Sequence, residues 1–267
     1  MADIEKPLFV DPVDLGEITV SSAANGNPAS NLNRLEAAGL TWKTAVAPSS
    51  IWARGRMDSA KDIDFMSILL ANAQPGTTFR LRLGLSKSEV DGATARYDSG
   101  ALPFISPAIT RDDGLYHSFL RLDELVNATW WRIDISGHSG AFEAAGIVMG
   151  EVIEPSRFYD KDFERGVDDL GAFDFNRFGV PDKVEGVKLR TLLFTLSWLS
   201  EAEYEDTFGP LSEKIGTSEL IYCCFDPAAT TWRQRKTYLG VLGRAPFARG
   251  GVKPRYKSME LQIRSII

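Results

Sequence analysis

The feature that most constrains the fold is the stretch Trp130–Tyr159, which reads as two strands joined by a turn. Apolar residues at the odd positions of 131–135 alternate with polar ones, the period of a strand with one face in a core. Glycine and serine at 136–140 favour a turn. The nearly uncharged run 145–152 is short for a helix and flanked by glycine, which predicts a second, buried strand. Pro155 cannot donate to a sheet ladder, so we expect a domain to end there.

The rest of the first 155 residues repeats this pattern of short strands and turns. Apolar or alternating segments at 51–57, 63–70 and 78–85 are separated by loops rich in turn-forming residues, and helical periodicity is nearly absent. Short strands at this spacing are typical of a β-sandwich or jelly roll. The sequence therefore predicts a mainly all-β protein whose first domain covers residues 1–155.

Several short motifs follow one another along the first domain, at 25–32, 40–44, 63–72, 79–82, 131–135 and 145–150. Their order resembles the galactose-binding-like jelly roll, in the discoidin-like version found in tail proteins of tailed bacteriophages. The motifs include the asparagines and the tryptophan that this family places around its first strands. The segment between 85 and 128, with a proline-containing stretch at 101–107, departs from the family's pattern. The resemblance implies a jelly roll that is either a spacer or a weak binder of host glycans.

Residues 156–186 differ from the first domain because acidic residues alternate with aromatic ones. Disordered segments are poor in aromatic residues, so we expect an extended arm whose rings pack on a partner. The candidate assembly interface consists of Phe158, Tyr159, Phe163, Phe173, Phe175 and Phe178.

The sequence pattern of residues 187–267 predicts a third segment, which is a β-sandwich with one helix. Ser200 followed by Glu203 has the pattern of a capping box, and the helix should run to about Ile215 unless Gly209-Pro210 splits it. Strand patterns follow at 219–225, 237–242 and 257–266. This order of elements is similar to the module of phage tail-tube and tail-tip proteins.

Little in the sequence favours catalysis. The chain has only two histidines, and neither has a second ligand at metal-binding spacing. It lacks a G-x-S-x-G nucleophile elbow and a glycine loop for phosphate. The adjacent cysteines Cys223 and Cys224 are badly placed for a mutual disulfide. We predict no enzyme, no catalytic residue, no cofactor and no metal; a structural calcium at 58–64 and catalysis by paired carboxylates are alternatives to ordinary solvated acids.

The charge balance and the ends of the chain limit the partners. A net charge of -6 disfavours nucleic-acid binding. The acidic N-terminus lacks the pattern of a signal peptide, and no apolar run reaches the roughly 20 residues needed to span a bilayer. Basic residues cluster from Arg233 to Lys257, either as a face for a partner protein or as an ordinary solvated surface. We expect folding in the host cytoplasm.

For the first domain, sugar binding is a more specific hypothesis than catalysis or metal binding. Trp52, Arg54 and Arg56 supply an aromatic ring and hydrogen-bond donors in one short segment. The alternative is that Trp52 covers a strand edge, while Trp42, Trp130 and Trp131 fill the core.

Together these patterns predict a non-enzymatic virion protein of a long-tailed bacteriophage, located in the tail tip or baseplate. It would assemble with copies of itself and with other tail proteins around the tail axis. The alternative is a free-standing carbohydrate-binding protein of bacterial origin.

Overall fold

The computed structural model describes residues 4–45, 50–250 and 255–267, and most of its regular structure is β-strand. The first strands are β1 (Leu8–Val10), β2 (Glu17–Val20), β3 (Trp42–Lys43), β4 (Ile51–Leu69), β5 (Thr78–Gly84), β6 (Tyr97–Asp98), β7 (Leu102–Pro103), β8 (Leu120–Ser136), β9 (Glu143–Ala144) and β10 (Gly146–Gly150). The later strands are β11 (Val152–Ile153), β12 (Glu164–Asp169), β13 (Ala172–Phe175), β14 (Pro181–Val184), β15 (Lys188–Ser200), β16 (Ile221–Cys224), β17 (Thr237–Leu242), β18 (Ala248–Gly250) and β19 (Tyr256–Ser265). The predicted fold class, mainly β with β-sandwich sheets, is confirmed.

The helices are short. The α-helices are α1 (Lys87–Asp91), α2 (Glu201–Glu203) and α3 (Gly209–Ile215), with a π-helical turn at Tyr204–Phe208 and 3-10 turns at Ala29–Asn33, Leu35–Ala37 and Arg233–Lys236. Within the described ranges, no helix is long and apolar enough to cross a membrane.

The chain divides into two compact units. Unit 1 comprises the described residues of Val10–Val152 together with Ala228–Gln234. Unit 2 comprises residues 4–9, Ile153–Pro227 and the described residues of Arg235–Ile267. Both units are therefore discontinuous in sequence, whereas the domains 1–155, 156–186 and 187–267 predicted above are continuous segments; those boundaries stay a prediction.

Unit 1 is built on a seven-stranded sheet with the order β10-β4-β8-β5-β6, to which β2 and β7 add at the edges. The inner side chains of β4, β5 and β8 form its core, which includes the fully buried ring of Trp131. That ring lies against Gly55 of β4, where a Cβ atom would come within 2.6 Å of the indole. Gly55 thus makes room for the fully buried ring of Trp131.

The two strands predicted at 51–57 and 63–70 are one long strand, β4, which corrects the predicted loop between them. Its pairing with β8 is interrupted between Arg56 and Lys61, and it resumes with a shifted register. The first part of β4 pairs with β2, and its last part pairs with β10. Acidic residues such as Asp58 and Asp62 indicated a loop, yet a strand with one solvated face accepts them.

Unit 2 contains an eight-stranded sheet with the order β11-β1-β16-β17-β19-β15-β12, with β18 on the edge of β19. The predicted helix is present and confirmed from Ser200 to Ile215, and Ser200 and Glu203 form both bonds of the capping box. Proline lacks the N–H that a continuing helix needs, and the turn before Gly209-Pro210 is π-helical. The change of helix type marks the position where the sequence predicted a split.

The segment 156–186, which was predicted as an extended arm, contains three strands. β12 pairs along β15, and β13 and β14 form a separate two-stranded hairpin whose residues are all exposed. Tyr159 packs against Phe194 and Phe225 of unit 2, with ring centroids 6.0 and 4.3 Å apart. The aromatic rings of this segment therefore divide between the core of unit 2 and its surface.

Candidate functional site

The three residues predicted to bind glycan share the outward face of β4 in unit 1. Trp52, Arg54 and Arg56 alternate with buried residues, so their side chains project from the same face of the sheet. Across the ladder to β8, Trp52 lies opposite Asp134, Arg54 opposite Arg132 and Arg56 opposite Trp130. We call these six residues the Trp52 surface.

Two guanidinium groups lie over the indole ring of Trp52. The central carbon of Arg54 is 5.2 Å from the ring centroid, and that of Arg132 is 5.1 Å away. Both groups donate to the same oxygen of Asp91, at 2.9 and 2.7 Å, so one carboxylate holds them both beside the half-buried indole.

Asp91, at the end of α1, fixes both arginines. It accepts from Arg54 and Arg132, and Lys87 lies 3.1 Å from it one helical turn earlier. Burial opposes ionisation of this carboxyl group, but the hydrogen bonds from Arg54, Arg132 and Lys87 outweigh it and lower the pKa of Asp91. The carboxylate is therefore charged wherever the protein is folded near neutral pH.

Asp134 links the same face to β5. Its oxygens accept from Arg132 at 2.7 Å and from Arg82 at 2.6 Å. The Nε atom of Arg82 is buried and has no hydrogen-bond partner in the described part of the chain. Burial alone would lower the pKa of Arg132, yet its bonds to Asp134 and Asp91 raise it. The arginines beneath Trp52 are thus held in place by carboxylates on two elements.

Helix α1 reaches this face because the local sequence makes room for it. The Ser86 side chain caps the helix by accepting from the Glu89 N–H group. At Gly84 a Cβ atom would lie 2.7 Å from a carboxylate oxygen of Glu89 and 3.0 Å from its Cβ atom, so Gly84 allows the helix to pack closely against β5.

The structure places the predicted residues in different roles. Trp52 and Arg54 belong to one network, whereas Arg56 is exposed at its margin. Trp42 and Trp131 are core residues as expected, but Trp130 is half buried on the outward face, because neighbouring strand residues point to opposite faces.

Sequence reasoning missed three members of the network: Asp91, Arg132 and Asp134. A signal for two of them was present, because Arg132 and Asp134 occupy the polar positions of an alternating strand, directly opposite the polar positions of β5. No local signal identifies Asp91, since its partners are about 40 residues away along the chain.

The asparagines of the resemblance motifs hold loops together. Asn27 and Asn31 both donate to the Thr41 carbonyl. The side chain of Asn72 donates to the Ala141 carbonyl and accepts from the Glu143 N–H group, at the start of β9. Their side chains thereby close the ends of the loops that join the strands.

Both histidines of the chain have structural contacts. His117 is buried, and its Nδ1 atom accepts from the Leu70 N–H group, while His138 packs edge-on against Phe142. In residues 4–45, 50–250 and 255–267, no three metal-ligating side chains come together. Within the predicted calcium segment, Asp62 accepts from Asn127.

Comparisons with known proteins give structural neighbours only. No protein-family model matches the chain, and no curated protein matches it. A chitosan-binding module of a chitosanase/glucanase from Paenibacillus is similar, with a TM-score of 0.38 and 12% identity over 53% of this chain and 98% of that one. A fucose-binding module from Streptococcus pneumoniae has a TM-score of 0.36 and 10% identity over 52% of this chain and 97% of that one. A carbohydrate-binding module from Clostridium perfringens has a TM-score of 0.35 and 11% identity over 52% and 94%.

The names of these neighbours are those of carbohydrate-binding modules. At such low identities and TM-scores, the likeness assigns neither a family nor a ligand to this chain.

Proposed function

We propose that the chain is a non-enzymatic carbohydrate-binding protein and that unit 1 binds sugar on the Trp52 surface. The observation that carries this proposal is the half-buried indole of Trp52, beside which the guanidinium groups of Arg54 and Arg132 are held 5.2 and 5.1 Å from the ring centroid. The exposed part of an indole held in this way can stack against the C–H groups of a sugar ring.

The surroundings of Trp52 supply the polar contacts that a sugar needs. Asp134 of β8 lies directly opposite Trp52 across the ladder. Arg56 projects from the same face of β4 as Trp52, four residues further along the strand. Binding sites combine an apolar surface with a few fixed polar groups, and here Asp134 is fixed by its ion pairs with Arg132 and Arg82 before any ligand arrives. Such preorganisation reduces the entropy lost on binding.

A glycan array followed by calorimetry tests the proposal. We expect the intact protein to bind one class of glycan, and Trp52→Ala to reduce the affinity at least tenfold. Trp232→Ala is the matched control, since Trp232 is an exposed tryptophan of unit 1 that lies off β4 and β8. Equal binding by Trp52→Ala and the intact protein would refute the assigned site, and no binding to any glycan would refute the function.

A second candidate, a structural protein of a bacteriophage tail tip or baseplate, is favoured by the exposed aromatic residues of unit 2. Phe173, Phe175 and Phe178 are 63, 60 and 75% exposed, more than a protein that acts as a free monomer needs to expose. This candidate predicts that the chain is a stoichiometric component of purified phage particles, which peptide mass spectrometry would detect. Its absence from the particles would refute the candidate and leave the sugar-binding function intact.

A further inference from the structure

A bulge in β15 turns one tryptophan of unit 2 away from the core. The buried side chains of this strand alternate up to Leu196, and the next buried residue is Leu199. Between these two residues the register with β19 shifts, so that three steps along β15 match two steps along β19. The extra residue of a β-bulge redirects the side chains beside it. Trp198, which strict alternation would bury, is therefore 37% exposed.

The exposed indole of Trp198 has two partners on the surface of unit 2. The ring of Tyr256 meets it edge-on, with the ring centroids 5.5 Å apart. The guanidinium group of Arg157 lies 5.3 Å from the centroid of the indole and 5.7 Å from the centroid of Tyr256. Arg157 forms no hydrogen bond or ion pair with any described residue. Its N–H groups can therefore donate to a ligand while its charge stays beside the two rings.

A chain of polar groups lies on the same face as these rings. Ser258 is two residues from Tyr256 along β19, so both side chains project from one face of the sheet. The Ser258 hydroxyl lies 3.3 Å from that of Ser197, which donates its own proton to Asp160. Ser197 has a single hydroxyl proton, so Ser258 donates to Ser197 and keeps lone pairs for a further donor. The second carboxylate oxygen of Asp160 accepts no hydrogen bond from the described residues.

The aromatic and the polar groups together make a surface with two kinds of contact. We call the following six residues the Trp198 surface: Arg157, Asp160, Ser197, Trp198, Tyr256 and Ser258. We propose that the Trp198 surface is a second binding site of this chain and that it takes one ring of a neutral sugar. This site goes beyond the proposed function, because it lies on unit 2 and shares no residue with the Trp52 surface.

A sugar ring matches both kinds of contact. Its C–H groups stack on the exposed indole, as apolar groups do on aromatic surfaces. Its hydroxyl groups accept from Arg157 and donate to Asp160 or Ser258. Tyr256 and Ser258 are about 7 Å apart along the strand, so a single ring with its hydroxyl groups can reach the aromatic and the polar part together.

The charges of the Trp198 surface favour a neutral ligand. A carboxylate or phosphate group would be attracted by Arg157 and repelled by Asp160. A purely apolar partner would bury both charged groups without giving them hydrogen bonds, which is unfavourable. A hydroxyl group both donates and accepts, so it satisfies the arginine and the carboxylate without a net charge.

The variant Trp52→Ala allows the second site to be measured in the full-length chain without the first. We expect this variant to keep binding to at least one neutral oligosaccharide on a glycan array. Adding Trp198→Ala should weaken binding of that oligosaccharide about tenfold in calorimetry, because the stacking surface is lost. Adding Arg157→Ala to Trp52→Ala should weaken it about fivefold, as expected for the loss of one hydrogen bond.

Controls separate the loss of a ligand contact from misfolding. Phe178→Ala, added to Trp52→Ala, removes a ring of unit 2 that is 75% exposed and lies outside the Trp198 surface, so the affinity should not change. Arg157 is exposed and has no hydrogen bond within the described residues, so Arg157→Ala should leave the unfolding temperature of its parent unchanged. Trp198→Phe retains an aromatic ring and should bind more tightly than Trp198→Ala.

Two results would overturn the proposal and leave sugar binding by unit 1 intact. Trp52→Ala could bind no glycan on the array although the intact protein binds one. The double variant with Trp198→Ala could also bind as tightly as Trp52→Ala alone. Conversely, if Trp198→Ala abolishes all binding and Trp52→Ala changes nothing, the Trp198 surface is the sugar site and the site assigned to unit 1 is wrong. An array without any signal for the intact protein would refute both sites.

Discussion

Replacing Asp91 by Asn removes the one charge that holds two arginines under Trp52. The amide has nearly the same shape as the carboxylate, so the change tests charge and leaves packing almost intact. Arg54 would lose the carboxylate that it contacts at 2.7 Å, while Arg132 would keep Asp134 at 2.7 Å. The substitution therefore leaves one guanidinium group without its ion pair.

The magnitude follows from the exposure of these groups. Breaking a fully buried ion pair costs about 3 to 5 kcal/mol, whereas an exposed pair contributes about 0 to 1 kcal/mol. The side chains of Arg54 and Asp91 are 13 and 25% exposed, between these limits but closer to burial. We expect Asp91→Asn to lower the free energy of unfolding of unit 1 by about 2 kcal/mol, which corresponds to roughly 4 to 8 °C in Tm for a domain of this size.

Differential scanning calorimetry of the intact chain measures this change as a shift in the Tm of the transition in which unit 1 unfolds. Asp98→Asn is the matched control, since Asp98 pairs with Arg80 on the same face but with side chains 35 and 42% exposed. We expect the control to cost about 0.5 kcal/mol, as exposed ion pairs do. If Asp91→Asn destabilises the protein no more than Asp98→Asn, the network beneath Trp52 does not stabilise the fold and the reasoning is wrong.

Three further predictions concern unit 1. The folded-state pKa of Asp91 is lowered, so its contribution to the free energy of unfolding is fully present above the unfolded pKa of about 4 and is lost as the pH falls below that value. As the pH is lowered, the Tm of the intact protein should fall more steeply than the Tm of Asp91→Asn. Parallel curves would contradict this. Gly55→Ala should lower the free energy of unfolding, measured by chemical denaturation, by about 2 kcal/mol, because the new Cβ atom would come within 2.6 Å of the Trp131 ring. Gly39→Ala is the control and should be nearly neutral, because nothing lies within 4 Å of the new Cβ atom. Equal denaturation midpoints for the two variants would refute the packing argument. Asn72→Ala should cost about 2 kcal/mol by removing two loop hydrogen bonds of 2.9 Å, and an unchanged denaturation midpoint would show that the loop closes without them.

The sequence predicted the elements whose signals are local. Period-2 alternation located β5 and the last part of β8, and the capping box at Ser200 located the helix that ends at Ile215. Alternation also placed Trp52 and Arg54 on one face of a strand. These features depend on residues within a few positions of one another, so they are visible in any short window of the chain.

The tertiary structure decided which distant residues meet. The fixed orientation of Trp52 depends on Asp91 and Arg132, about 40 and 80 positions further along the chain. Residues 4–9 join unit 2, although the sequence pattern suggested that they belong to the first domain. Strand pairing brings such partners together through hydrogen bonds between backbone groups. These groups are the same in nearly every residue type, so the sequence does not show which strands pair. The sequence by itself therefore determined the strands with a clear alternation and their polar faces, and only the folded sheets determined the remaining strands and which polar faces come together.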